Sequence, residues 1–311
     1  FQSLELLVVV DVAMTETARL AHYVLPAASQ FEKWEATGFN LEFPENFFHL
    51  RHPLFKPLGE SLPEPEICTR LLEKMGAIPP RFPLLSLIAR LEPNASAYLA
   101  YTGALAATLA AHKAWIPYAA SILYRTLGQT LADEAAAAAP LLPLAIQYAT
   151  QHYAAVKRAG HSGNRLTLGS GLFDAILAGR SGIVLSRHEF ADTWSLVKNR
   201  DRRVHLAIPE MLEQLRALKT ERLPGADYPF VLMAGERRSY NANQIFRDPG
   251  WRKVDQDGAM RIHPDDAKVL GLFAGARAIC QSAWGEIEVV IEVDDTVRHG
   301  MVTLPHGYGM R

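Results

Sequence analysis

Between Tyr228 and Asp248 the sequence reads YPFVLMAGERRSYNANQIFRD, and its second half is dense with groups that bind anions and heterocycles. Arg237 and Arg238 offer planar guanidinium forks suited to phosphate. Asn241, Asn243 and Gln244 carry amides that can pair with a heterocycle edge, and Ser239 adds a hydroxyl. Gly235 permits close backbone approach or a positive φ. The set suits a polar, anionic ligand. It also suits a solvated turn after a strand, because no single spacing in it is specific.

Two elements would position these groups. The apolar run Phe230–Met233 has the length of a short buried strand and stops at Ala234–Gly235. Far upstream, Leu4 to Asp11 (LELLVVVD) is a continuous apolar run that predicts a parallel strand covered on both faces. A short helix near Glu16–Ala21 and a brief strand Tyr23–Leu25, halted by Pro26, come next. Ligands of open parallel sheets sit beyond the carboxyl ends of strands, which makes Asp11, Met14, Thr15 and Thr17 candidates. Thr15 or Thr17 could equally cap the helix.

The rest of the chain divides by composition. Phe31 to Pro65 has no sustained period and reads as a long ordered loop packed by its own aromatics. Glu66 to Met75 is a helix ended at Gly76. Phe82 to Ala159 turns Ala- and Leu-rich with helical periodicity, broken at Pro93, Pro117, Pro140 and Pro143; Ala135–Ala139 has high helix propensity. His112, Lys113 and Pro117 interrupt its apolar residues, so no membrane span is expected. From Leu172 to Leu218 helix, strand (Gly182–Ser186), helix, strand (Arg203–Ile208) and helix alternate, and Lys219–Ala226 reads as a linker. Beyond it the pattern is β, with strands at Ala259–Ile262, Ala276–Ser282, Glu286–Val293 and Met301–Leu304 and a short helix after His263-Pro264-Asp265-Asp266. That density of short strands suggests a closed barrel.

Bulk properties set limits. The 311 residues suffice for more than one core, and a formal net charge of -1 gives no global pull toward nucleic acid. The two cysteines, Cys68 and Cys280, cannot supply a cysteine-ligated iron–sulfur cluster or a Cys-rich zinc site from this chain alone. They fit a reducing compartment, without excluding one disulfide. The chain begins at Phe1, with a strand already under way, and reads as a fragment whose start lies upstream, along with any export signal. The expected location is cytoplasmic.

Three stretches together resemble the C-terminal half of the molybdopterin oxidoreductases of the dimethyl sulfoxide reductase type. They are VVVDVAMTETARLAHYVLPAASQFEKWEATGFN, FVLMAGERRSYNANQIFRDPGWR and IHPDDAKVLGLFAGARAICQSAWGEIEVVIEVDDTVRHGMVTLPHGYG. The last is similar to that family's H-P-x-D-A-x-x-L-G signature followed by R-x-G-x-V-x-L-P. The resemblance implies Rossmann-like α/β segments with a helical insertion, followed by a six-stranded double-psi β-barrel. The divisions would be residues 1–80, 81–165 (insertion), 166–222 and 226–311 (barrel). It implies a molybdenum bis-(molybdopterin guanine dinucleotide) cofactor. Gly235, Arg237, Arg238, Ser239, Asn241, Asn243 and Gln244 would line its pterin and phosphates. Asp11, Thr15 and Thr17 would lie near a nucleotide, and His306, Gly307 and Tyr308 would form a closing wall. A 4Fe-4S cluster and the molybdenum ligand would belong to an N-terminal half of the same enzyme, and an electron-transfer subunit would be a further partner. No catalytic residue and no metal ligand is expected in this chain.

The sequence departs from the family pattern at His22, where Asp is usual, at Ala36 before Thr37, where Gly is usual, and at its end, Met310–Arg311. The implied activity is oxygen-atom or hydride and electron transfer by the intact enzyme. The alternative is a cofactor-free structural or interaction subunit on the same fold. A hydrolase built on His306, or on His263 with Asp265 or Asp266, lacks an adjacent nucleophile, and helix capping accounts for His263.

Overall fold

A computed structural model describes residues 1–37, 42–91, 94–218, 225, 227–236 and 258–305. In chain order β1 (Val8–Asp11), α1 (Glu16–Arg19), β2 (Tyr23–Pro26), β3 (Glu35–Ala36), β4 (Glu45–Phe48) and β5 (Leu50–Arg51) come first. The helical stretch comprises α2 (Glu64–Lys74), α3 (Pro83–Ala89), α4 (Ala95–Ala111), α5 (Ala119–Arg125), α6 (Leu141–Gln151), α7 (Tyr153–Arg158) and α8 (Leu168–Ala178). After it come β6 (Ile183–Arg187), α9 (Thr193–Leu196) and α10 (Pro209–Ala217). The last part holds β7 (Val231–Glu236), β8 (Met260–Ile262), α11 (Pro264–Val269), β9 (Arg277–Ser282), β10 (Gly285–Val293) and β11 (Met301–Pro305). The chain divides into two compact units, one of Val8–Val12 and Tyr23–Val204, the other of Phe1–Leu7, Ala13–His22 and His205–Arg311.

The first unit is mainly helical. Tyr101, Ile122, Leu142, Leu168, Leu172 and Phe173 are almost wholly enclosed in its core. Helices α6 and α8 cross closely because Gly169 has no side chain: a Cβ there would lie 2.4 Å from the Ile146 Cα. Tyr98 sets its ring edge-on to Phe173 at 5.5 Å. A cluster of charges ties α2 to α5, in which Arg125 bonds Glu73 through Nε and Glu66 through Nη1, both at 2.6 Å. Burial raises the Glu66 carboxyl, but hydrogen bonds from Arg70 and Arg125 outweigh it and leave the group below its ordinary range. Tyr124, buried beside Glu66, is pushed up to about 12 by burial and by that carboxylate.

Several expectations need correction here. The first strand is four residues long, not eight, and Val8 and Val10 are exposed: β1 pairs with β2 alone, in parallel. Residues 203–208 form no strand, and Val204, Leu206 and Ile208 are exposed, with no strand paired to them among the described residues. In the segment 166–222 the strand β6 pairs antiparallel with β4, so it does not extend a parallel sheet. The loop 31–65 contains β3, β4 and β5; its Trp34 ring does lie 4.0 Å from that of His52. Ala135–Ala139 is not an α-helix but a single 3₁₀ turn at Ala136–Ala138. Five residues cannot offset the cost of helix nucleation. Their small side chains serve close packing instead, since a Cβ on Gly128 would meet the Ala136 carbonyl oxygen at 2.7 Å. Pro143 does not break α6 but sits in its first turn, where a missing N–H costs nothing. Among the described residues no helix is long and apolar enough to cross a membrane.

The second unit carries a curled five-stranded sheet in the order β7-β11-β8-β10-β9. β7–β11 and β8–β10 are parallel; β11–β8 and β9–β10 are antiparallel. Its core is small, formed by Met260, Ile262, Ala267, Val289, Ile291 and Val302. The apolar alternation of β10 buries Val289 and Ile291, but Ile287, nearer the hairpin tip with Trp284, is exposed. Five strands among the described residues leave the sheet open in its order, where a closed barrel of six was expected.

Candidate functional site

The sheet sets the strands that precede two of the polar segments side by side. β11 is an inner strand with β7 beside it in parallel, from Met301 opposite Val231 to Pro305 opposite Glu236. The chain therefore leaves the sheet at Glu236 and at Pro305 from the same end, on strands about 5 Å apart. Proline suits that last position, where no further ladder N–H is needed. Leu304 opposes Ala234 and Pro305 opposes Glu236, so Gly235 is the extra residue of a β-bulge. A bulge bends the strand and re-aims the chain beyond it. Gly235 thus sits one residue before the end of β7, at the shift in its register with β11. Arg237, Arg238, Ser239, Asn241, Asn243 and Gln244, and likewise His306, Gly307 and Tyr308, lie outside the described residues.

The upstream candidates fall in different units. Asp11 ends β1 in the helical unit, where its Oδ1 accepts the Val12 N–H at 2.7 Å and its carbonyl accepts the Ala27 N–H at 3.0 Å. Thr15 and Thr17 belong to the other unit. Thr15 is the N-cap of α1, its Oγ1 accepting the Ala18 N–H at 3.2 Å. Thr17 lies inside that helix, its carbonyl taking the Leu20 N–H at 3.1 Å. The capping role read from sequence is met by Thr15.

A cluster at the start of α11 was only half visible in the sequence. Pro264 opens the helix, Asp265 and Asp266 complement its dipole, and His263 Nδ1 accepts the Asp265 N–H at 3.2 Å. That bond accounts for His263 as a cap. Asp266 reaches the turn before β11, accepting the Gly300 N–H at 2.8 Å and the His299 Nδ1 proton at 3.3 Å. The Gly300 hydrogen bond, with help from His299, holds the Asp266 carboxyl below its ordinary range despite an opposing contribution from burial. Gly300 has φ +71°, a conformation glycine adopts without strain. The His263 and His299 rings lie 3.7 Å apart. His299 was missed because its partners are more than thirty residues away; its only local signal was the Arg298-His299-Gly300 turn.

The helical unit holds a second polar chain that sequence reading did not find. Ser186 Oγ lies 2.6 Å from Tyr148 Oη and 3.2 Å from His188 Nε2, and His188 Nδ1 lies 4.0 Å from Asp192. The order resembles a nucleophile, base and orienting carboxylate, but Ser186 is wholly buried and Asp192 is held by Arg158. It is a structural network that joins β6 to α6.

Comparisons with known proteins give a family match, a sequence relative and a similar structure. Residues 230–311 match the family described as Molydopterin dinucleotide binding domain. Over 82 residues, 26% of this chain and 11% of the relative, the sequence is 29% identical to the acetylene hydratase of Syntrophotalea acetylenica. Among solved structures the acetylene hydratase from Pelobacter acetylenicus aligns with 97% of this chain and 33% of its own, at 18% identity and a TM-score of 0.46. The chain thus spans well under half of either relative. The residues matched by the family are those of β7 to β11, together with the polar segments that follow β7 and β11 in sequence.

Proposed function

We propose that this chain is the C-terminal part of a molybdenum-dependent oxidoreductase, and that residues 226–311 hold a molybdopterin guanine dinucleotide of the bis form. The observation that carries the reading is the parallel β7–β11 pair, whose last residues, Glu236 and Pro305, lie together at one end of the sheet and directly precede the two polar segments within the family match. The donor set fits the group. Arg237 and Arg238 suit a pyrophosphate, and Ser239, Asn241, Asn243 and Gln244 suit a pterin edge. The Gly235 bulge supports close backbone approach. His306, Gly307 and Tyr308 would close the other side. When bound, the cofactor supplies two-electron redox chemistry, and the protein binds, orients and tunes it.

Under this reading the sheet is part of a six-stranded double-psi barrel, and the segments 1–80 and 166–222 complete Rossmann-like domains together with an N-terminal half of the same enzyme. That half would hold the 4Fe-4S cluster and the molybdenum ligand. Asp11, Thr15 and Thr17 would lie near a nucleotide, and an electron-transfer subunit in the cytoplasm would receive or deliver electrons. Measuring molybdenum and acid-released guanine nucleotide in the matured intact protein tests this. Both should be present, and the double replacement Arg237→Ala with Arg238→Ala should lower both at least tenfold, because charge-assisted hydrogen bonds contribute about 1.5–3 kcal/mol each. Fully folded protein devoid of both would favour a cofactor-free interaction subunit.

A second reading concerns the reaction. The sequence relative is named a hydratase, so under this reading the intact protein would add water to its substrate without net electron transfer. Assaying the matured protein with an unsaturated substrate in the presence and absence of an artificial electron acceptor separates the two, since hydration consumes no acceptor.

A further inference from the structure

We propose that His263, Asp265 and His299 form a binding site for a divalent first-row transition ion of the zinc class, with Asp266 orienting His299. The site stands apart from the cofactor reading and does not depend on it.

One ligand atom from each of the three residues lies within 4.8 Å of the others. Zinc with nitrogen and oxygen donors at about 2.0–2.1 Å separates tetrahedral ligands by about 3.4 Å. His299 Nε2 and Asp265 Oδ2 stand 3.5 Å apart, already at that spacing, and His263 Nδ1 is 3.9 Å from the same oxygen. Small side-chain rotations on an open surface would close the set. Two imidazoles and one carboxylate are the donor types that such ions take.

Hydrogen bonding prepares His299 for this role. Its Nδ1 proton is given to Asp266 Oδ1, and Asp266 is itself anchored by the Gly300 N–H. With the proton fixed on Nδ1, the neutral ring presents the lone pair of Nε2 toward a carboxylate oxygen. Two acceptors facing each other repel unless a cation lies between them, either a proton on the ring or a metal ion. A carboxylate behind a ligating histidine is the arrangement that orients histidines at zinc sites. His263 is the weaker ligand, because its Nδ1 lone pair is already engaged by the Asp265 N–H. The positive end of α11 opposes a cation, and Asp265 and Asp266 offset it. An ion here would join the start of α11 to the turn that leads into β11.

The test uses the 311-residue chain with zinc chloride in calorimetry, and cobalt chloride with visible spectroscopy to report histidine coordination. Wild type should bind an equivalent that is weakened at least tenfold in His299→Ala and in Asp265→Asn, with the ligand-field bands of cobalt lost in step. His161→Ala, in the helical unit, should change nothing. Far-ultraviolet circular dichroism identical to wild type would show that the variants fold. Wild-type protein that binds no zinc up to about 100 µM, or binding with the same affinity and stoichiometry in His299→Ala, overturns the proposal.

Discussion

The Arg125 cluster and the His299 cluster both collect carboxylates around nitrogen donors, yet they do opposite work. Around Arg125 the donor is always charged, the geometry is a guanidinium between two carboxylates, and Glu66 and Glu73 are 13% and 17% exposed. The guanidinium protons go to fixed partners, and the group has no lone pair to offer. Around His299 the donors are imidazoles, which keep a lone pair, and Asp265 is 73% exposed. The first cluster can only hold α2 to α5; the second can exchange a proton for an ion. Residue type decides between the two more than proximity does.

The largest test of that contrast is Arg125→Met. It strands Glu73 and leaves Glu66 with Arg70 alone of its two guanidinium partners, both carboxylates being largely enclosed, and should cost about 3–5 kcal/mol in urea unfolding at neutral pH. The loss should shrink on acidification. Glu66 is held below its ordinary range in the folded chain, so its contribution is present above the unfolded value and disappears as the pH falls through the lower folded one. A cost that stays constant from pH 7 to pH 3 would mean lost packing, and the ionic account of this cluster would fail.

Asp266→Asn comes next. The amide can still accept from Gly300, but the charge assistance is lost, at about 1–2 kcal/mol near neutral pH. Asp266 is also depressed, so wild type should lose this advantage only below the ordinary carboxylate range and the two proteins should converge in acid. Divergence in the alkaline direction would contradict the sign.

The features that could be read in advance separate along the same lines. Local chemistry was legible: Pro264 with two acidic residues marked a capped helix, and the runs Ala276–Ser282 and Glu286–Val293 around Ala283-Trp284-Gly285 marked a hairpin, in which Gly285 proves to be the first residue of β10. Pairings between distant segments were not legible. Nothing near Phe47 announces that β4 meets β6, although Gly182 is required there, a Cβ lying 2.2 Å from the Phe47 ring. Apolar runs were over-read wherever the chain offers no partner strand, as at Leu206. His299 joined the site only through a turn that folding brings to α11.

The smallest effect is the most discriminating. His263→Ala removes a cap and should cost about 1 kcal/mol. His263→Asn keeps an acceptor at the same position and should leave stability within about 0.5 kcal/mol of wild type, because asparagine ranks among the best caps. Asparagine brings no imidazole, so zinc binding should weaken even though the fold is intact. Stability and ion binding therefore come apart at His263. At Arg125 there is no such second readout, because a guanidinium offers no lone pair to an ion. If His263→Asn lost as much stability as His263→Ala, the ring would be structural beyond its cap and the two clusters would be more alike than their exposure indicates.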